Sequence, residues 1–281
     1  MRRRAAVLGS PVSHSLSPVL HTAAYKALGI GWEYEAIEVD QAGLEGFLAG
    51  LDDAWAGLSL TMPLKAEAAR LADFVEPQAR LVGTVNTLVP SGVGEYRQWV
   101  GANTDIHGVT AAFAEVGVSR CTSAVVVGAG ATATSAIAAF GSIGAVRPRV
   151  IVRSRARAGA LMRAASKMGV QPRFVDLDSS EAIEALEQAD VVVSTVPVEA
   201  GAALGGRLRA AQATTQGHLL DVVYSPLVTP LAQSWSQGGG ATISGVRMLL
   251  HQAGEQVRLM TGLNAPMGAM EAALNRVLTT S

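Results

Sequence analysis

The sequence has one cysteine, Cys121, in 281 residues. No internal disulfide can form, which excludes a disulfide-stapled secreted scaffold, and the lone thiol reads as a small buried hydrophobe. An excess of charge of either sign is also lacking, with 22 Lys and Arg against 23 Asp and Glu. That balance supplies no overall field to recruit nucleic acid or an anionic membrane surface. No uninterrupted apolar run approaches the roughly eighteen residues that a membrane-crossing helix needs. The start, Met1-Arg-Arg-Arg4, carries the charge of a signal peptide's first region. Only Ala5 to Leu8 follow as an apolar run before Gly9 and Ser10, which is shorter than a signal requires. Cys, His, Asp and Glu do not fall at metal-ligand spacings, so no metal is expected. Repeats, heptads and low-complexity linkers are absent. A soluble, reducing, cytoplasmic setting is the default expectation, with no nucleic acid or membrane as partner, and the choice between monomer and homodimer stays open.

What the sequence does contain is organised around Ala124 to Phe140, where an apolar strand runs into glycines and on into a helix of small residues. Gly128-Ala129-Gly130-Ala131-Thr132-Ala133 fits the dinucleotide fingerprint G-x-G-x-x-G/A. Gly128 allows the tight turn, Gly130 lets backbone approach a pyrophosphate, and Ala133 lets the helix pack closely on the strand. The free amides and positive dipole end of that helix make an anion site. About twenty residues on, an NAD site would carry Asp or Glu at a strand end. Here Arg149-Val-Ile-Val152 ends instead in Arg153-Ser154-Arg-Ala-Arg157. Guanidinium groups and a hydroxyl suit a 2′-phosphate, so NADP is the expected cofactor.

The chain is long enough for two domains. In the first half, strands at Ala5-Leu8, Glu33-Val39 and Ala56-Leu60 alternate with helices from Pro18 to Leu28, Ala42 to Ala49 and Pro63 to Ala72. Such alternation predicts a mainly parallel sheet covered by helices. Residues 85 to 102 read as a hairpin closing it. A second alternation has strands at Ala124, Val150, Arg173-Val175, Val191-Ser194, Leu219-Val223 and Ala241-Ile243, which form a Rossmann-like unit. Two helical patterns, Val246-Met260 and Pro266-Leu278, finish the chain and either cap that unit or return to the first. The fold class is therefore two-domain α/β. The boundaries fall at 1–105, completed by 248–281, and at 106–247.

Four segments of the first half concentrate polar groups at strand-to-helix corners. In Ser13-His-Ser15-Leu-Ser17-Pro18, Pro18 suits a first helical turn and Ser17 its N-cap, leaving amides and hydroxyls around an anion pocket. In Thr61-Met-Pro-Leu-Lys65, Lys65 falls in a first turn, against the macrodipole, and such local conflict marks functional sites. Gly83-Thr-Val-Asn86-Thr and Asn103-Thr-Asp105-Ile-His-Gly108 complete the set. Asp105 would serve either as a cap of the helix running to Val116 or as a ligand group at the strand ends where open α/β sheets bind.

Together with Gly128-Ala-Gly130 and Gly245-Val-Arg-Met248-Leu-Leu-His-Gln252-Ala, these segments resemble the shikimate dehydrogenase family from Gly9 to about Leu274. The resemblance implies a first domain for shikimate, a second for NADP, and final helices that return to the first. It maps carboxylate contacts to Ser15 and Ser17, with Tyr224 nearby. Ring-hydroxyl contacts map to Thr61, Lys65, Asn86, Asp105 and Gln252. Cofactor contacts map to Gly128, Ala129, Gly130, Ala131, Thr132, Val152, Arg153, Ser154, Arg157, Val222 and Gly245. Two positions depart from the family pattern. Val152 stands where an Asn precedes the phosphate-binding Arg, and Ala131-Thr132 replaces a second glycine pair, which alanine tolerates if its φ is negative. The rest of the spacing from Met248 to Met260 reads as core packing.

Oxidising a secondary alcohol with a nicotinamide requires a group that takes the hydroxyl proton and stabilises a developing alkoxide. Lys65 is the expected acid/base, with Asp105 bonded to the same hydroxyl and holding the ammonium. A lysine of ordinary pKa, about 10.4, needs burial or cationic neighbours to act as a base at neutral pH, against the opposite pull of Asp105. The expected activity is reversible NADPH-dependent reduction of 3-dehydroshikimate to shikimate, on the way to chorismate and the aromatic amino acids. A quinate or quinate/shikimate dehydrogenase using NAD(P) is the alternative. A methylene-tetrahydrofolate dehydrogenase lacks the Ser15 and Asn103-Thr-Asp105 motifs, and a non-catalytic NADP-binding sensor has no need of both Lys65 and Asp105.

Overall fold

A computed structural model describes residues 3–279, so Met1 and Arg2 of the basic start lie outside the described residues. The chain divides into two compact units, one running up to Thr104 and resuming at Leu249, the other Asp105–Met248.

The first unit begins β1 (Arg4–Gly9), α1 (Ser17–Ala27), β2 (Glu33–Glu38), α2 (Leu44–Ala49), β3 (Trp55–Leu60) and α3 (Lys65–Leu71). It continues with β4 (Phe74–Val75), α4 (Pro77–Val82), β5 (Thr87–Ser91) and β6 (Gln98–Ala102). Its sheet has the order β2-β1-β3-β5-β6-β4. β1 is parallel to β2 and β3, whereas β5 is antiparallel to both of its neighbours. The hairpin at 85–102 does form, but β6 also pairs with β4, so the sheet closes one strand further out than the sequence suggested. Leu8, Leu58, Leu64 and Leu88 lie at the centre of its core.

Three local starts differ from expectation. Helix α2 begins at Leu44 because the Asp40 carboxylate accepts from Gly43 N at 2.8 Å, closing a turn first. Helix α3 begins at Lys65, with Leu64 in the cap position. In α1, Leu16 holds the cap position and Ser17 is already helical. The hydroxyl that accepts an early amide is that of Ser15, from Ser17 N at 3.3 Å, so Ser17 is not the N-cap.

The second unit comprises α5 (Asp105–Glu115), β7 (Ala124–Val127), α6 (Ala131–Ser142), β8 (Arg149–Val152), α7 (Gly159–Lys167) and β9 (Arg173–Asp176). Next come α8 (Ser180–Glu187), β10 (Val191–Ser194), α9 (Val198–Ala210), β11 (His218–Asp221), α10 (Pro230–Gln237) and β12 (Ala241–Ser244). All pairings are parallel, in the order β12-β11-β10-β7-β8-β9. Counted from β7, that is the doubly wound order of dinucleotide-binding folds, with its topological switch point between β7 and β10. β7 and β10 are buried along their whole length, which is why β7 reads as an unbroken apolar run and β10 as one up to its final Ser194. Cys121 is buried and free.

Helix α11 (Gly245–Thr261) carries the chain back to the first unit, where α12 (Met267–Leu278) packs on α1. Within that unit α11 lies against β3. A Cβ on Gly57 would stand 2.6 Å from Met260 Cγ, so only glycine admits this approach. Among the described residues, no helix is long and apolar enough to cross a membrane, and no group of three or more His, Cys, Asp or Glu could hold a metal ion.

Candidate active site

In the second unit β7 runs into Gly128, whose φ of +110° is left-handed. A Cβ there would lie 2.3 Å from Thr195 Oγ1, so both conformation and space demand glycine. Gly130 has no positive φ and only open space where a Cβ would stand, leaving its backbone accessible to a ligand. The first amides of α6, from Ala131 and Thr132, have no partner within the helix and face the anion-binding end of its dipole. Gln212 is the one described non-glycine residue with a positive φ, so Ala131 has the negative φ that alanine needs.

A cavity of about 350 Å³ opens at this switch point, lined by Gly128, Ala129 and Gly130 on one side and Val152, Arg153, Ser154 and Arg157 on another. The two guanidinium groups are solvent-exposed, and no carboxylate follows the end of β8. Arg155 stacks over Phe174 at 5.4 Å instead, so the basic run divides between the cavity and the surface. This donor set fits a dinucleotide with a phosphorylated ribose. Thr195, Val196 and Pro197, which follow β10, also line the cavity and were not anticipated from sequence. Val222 and Gly245 do not line it. They meet each other instead, since a Cβ on Gly245 would lie 2.5 Å from Val222 O.

In the first unit Thr61 and Asn86 lie at the same end of the neighbouring strands β1, β3 and β5. The turns that follow β1 and β3 are tied by Thr61 N to Leu8 O at 2.9 Å and by Ser10 N to Met62 O at 3.0 Å. Lys65, half-buried, opens α3, and its carbonyl accepts from Val85 N at 2.8 Å. That bond fixes its backbone one residue away from Asn86. Asn86, 1% exposed, enters β5 at the same end. Its Oδ1 accepts from Thr104 N at 2.8 Å and from Thr87 Oγ1 at 2.9 Å. Its Nδ2 donates to Thr104 Oγ1 at 2.9 Å and reaches Gln252 Oε1 at 3.5 Å. The buried Asp105 is the next residue after Thr104. Ser15 stands on the turn beyond β1 and Ser17 opens α1, buried, with its carbonyl accepting from His21 Nδ1 at 3.0 Å. His21 is wholly buried, and desolvation lowers its pKa to about 4 despite that bond.

Tyr224 belongs to the second unit, beyond β11. It is half-buried, and burial raises its phenol. Asp221, which ends β11, is likewise pushed up by burial while accepting from Thr229 Oγ1 at 2.6 Å.

A polar cluster at the strand ends of one α/β unit, in a chain whose other unit carries a dinucleotide fingerprint and a basic cavity, defines a nucleotide-dependent oxidoreductase. The model of the shikimate dehydrogenase substrate binding domain matches residues 7–88. A shikimate dehydrogenase (NADP(+)) from Methanosarcina mazei is 36% identical over 276 residues, covering 96% of this chain and 97% of that one. The crystal structure of Mycobacterium tuberculosis shikimate dehydrogenase is 41% identical with a TM-score of 0.87, covering 98% and 99% of the two chains. The enzyme from Thermus thermophilus, solved in complex with NADP(H) and shikimate, is 31% identical with a TM-score of 0.80, covering 98% and 100%. The chain belongs to the shikimate dehydrogenase family.

Proposed function

We propose that this protein is an NADP-dependent shikimate dehydrogenase, which reversibly reduces 3-dehydroshikimate to shikimate. The observation that carries the reading is the buried cluster of Asn86, Thr104 and Gln252 at the end of the sheet that also bears Lys65 and leads directly into Asp105. A packed strand-to-helix corner has no need of so many buried polar side chains, each of which costs free energy unless it is paired.

When bound, the nicotinamide exchanges a hydride with the ring carbon. Lys65 is the group that gives a proton to, or takes one from, the oxygen on that carbon, and its charge stabilises the oxygen as it becomes negative. Asp105 accepts from the same hydroxyl and orients it. Asn86, Thr61 and Gln252 hold the neighbouring ring hydroxyls, so that the reacting carbon has one orientation. Ser15 and Ser17 take the carboxylate, a distant anchor whose binding energy serves positioning. Arg153, Ser154 and Arg157 would hold the 2′-phosphate and Gly128 to Thr132 the pyrophosphate, with Val152 beside them in the same cavity, whereas Val222 and Gly245 lie outside it. On this reading the first unit is the substrate domain and the second the NADP domain.

The experiment is the absorbance at 340 nm with shikimate or quinate as substrate and NADP or NAD as acceptor. Reduction of NADP that depends on shikimate, with the highest kcat/KM of the four combinations, supports the assignment. A higher kcat/KM for quinate with NAD would replace it with the alternative, and no reduction with either acid would leave a binding protein.

A further inference from the structure

We infer that Gln256, one turn beyond Gln252 on α11, is a positioning residue that fixes the hydrogen-bond polarity of Asn86 through Thr87. The inference rests on the role proposed for Asn86 and extends it to a residue with no contact to substrate.

Gln256 is 1% exposed and all of its side-chain amide is used. Its Nε2 donates to Asn86 O at 3.1 Å and to Thr87 Oγ1 at 3.0 Å. Its Oε1 accepts from Ser59 Oγ at 2.9 Å, and Ser59 in turn accepts from Tyr34 OH at 2.7 Å. A buried chain of hydrogen bonds therefore runs from Tyr34 through Ser59, Gln256 and Thr87 to Asn86.

Direction is what this chain transmits. A threonine hydroxyl has one proton, and Gln256 occupies the acceptor side of Thr87 Oγ1, so the Thr87 proton goes to Asn86 Oδ1. With Thr104 N donating to the same oxygen, Asn86 Oδ1 is turned inward and Nδ2 donates one proton to Thr104 and the other to Gln252 at 3.5 Å, the long bond that a substrate hydroxyl would replace. A residue of the same shape that accepts where Gln256 donates would draw the Thr87 proton to itself and remove one of the two donors that hold Asn86 Oδ1, leaving Thr104 N alone.

Gln256→Glu is such a substitution, and its introduced carboxyl supplies its own control. Burial raises a carboxyl pKa, so at low pH the neutral acid regains a donor and at high pH the carboxylate has none. The expected result is a KM for shikimate raised about tenfold at pH 8.5 relative to wild type, about 1.4 kcal/mol, and falling back toward wild type near pH 5.5. The KM for NADP and the shikimate-independent Kd for NADP should stay within twofold. Thr87→Val, which keeps shape and lacks the hydroxyl, should show a similar rise without the pH recovery, and the double variant should be no worse than either single one. Calorimetric titration with shikimate should reproduce these ratios as Kd values. A shikimate KM within twofold of wild type in Thr87→Val, or a Gln256→Glu ratio that does not change with pH, would overturn the inference. If Gln256→Glu does not fold, the Thr87→Val result decides. Absence of shikimate turnover in wild type would instead count against the proposed function.

Discussion

Thr104 donates its backbone N–H to Asn86 Oδ1 at 2.8 Å, and the residue after Thr104 is Asp105. One bond thereby fixes the side chain assigned to a ring hydroxyl and the backbone that delivers the carboxylate assigned to the reacting one. Asn86→Ala would remove the acceptor for both Thr104 N and Thr87 Oγ1. Leaving buried donors unpaired costs about 1–3 kcal/mol each. The variant should unfold at lower urea concentration and bind shikimate at least tenfold more weakly, while its Kd for NADP stays within twofold. Urea titration and calorimetry measure the three.

The two fingerprint glycines should fail differently. Gly128→Ala forces a side chain into a left-handed φ and against Thr195 Oγ1, so it should destabilise the fold by more than about 1 kcal/mol and lower Tm. Gly130→Ala meets neither obstacle and should melt as wild type does. It places a methyl group where the pyrophosphate is assigned, so its Kd for NADP should rise at least tenfold. Differential scanning calorimetry and NADP titration of both variants separate the two effects.

Arg153 and Arg157 line the same cavity as the glycines. Hydrogen bonds to a charged group contribute about 1.5–3 kcal/mol. Arg153→Ala should therefore lower kcat/KM for NADP by about tenfold or more and leave that for NAD within threefold, and Arg157→Ala should do the same. Equal losses with both cofactors would mean that these residues do not read the 2′-phosphate.

His21 ties stability to pH. Its folded pKa is lowered from 6.5 to about 4 by burial, so between those values the unfolded chain binds a proton that the folded chain does not. Stability from this group is full above about pH 6.5 and falls as pH drops toward 4, by up to about 3 kcal/mol. In His21→Phe, which keeps a ring against Tyr34, that dependence should be missing. The difference in unfolding free energy between wild type and variant should then shift against wild type as pH falls from 7 to 4.5. A difference constant with pH would contradict the sign.

Much of this architecture was legible because its parts are local. Strand β7 is apolar throughout, and β10 up to its final Ser194, since parallel strands are covered on both faces, and the fingerprint announces its own turn. Strand β4 has two residues, too few to show a period, and only its pairing with β6 makes it a strand. Ser17 looked like a cap because Pro18 follows it, yet the amide is taken by Ser15, a choice made by the turn beyond β1. Thr195 to Pro197 line the dinucleotide cavity because β10 neighbours β7, and sheet order is written in no single segment. Gln256 was not singled out, although a glutamine four residues after Gln252, and so on the same face of α11, was itself a signal.

On the proposed mechanism Lys65 moves the proton in a shikimate-to-NADP hydride transfer. The most direct test of that role is kcat for NADP-dependent shikimate oxidation, followed at 340 nm, in wild type and Lys65→Ala with both substrates saturating. The expected loss is at least a hundredfold, about 2.7 kcal/mol of barrier. A kcat within tenfold of wild type would contradict it.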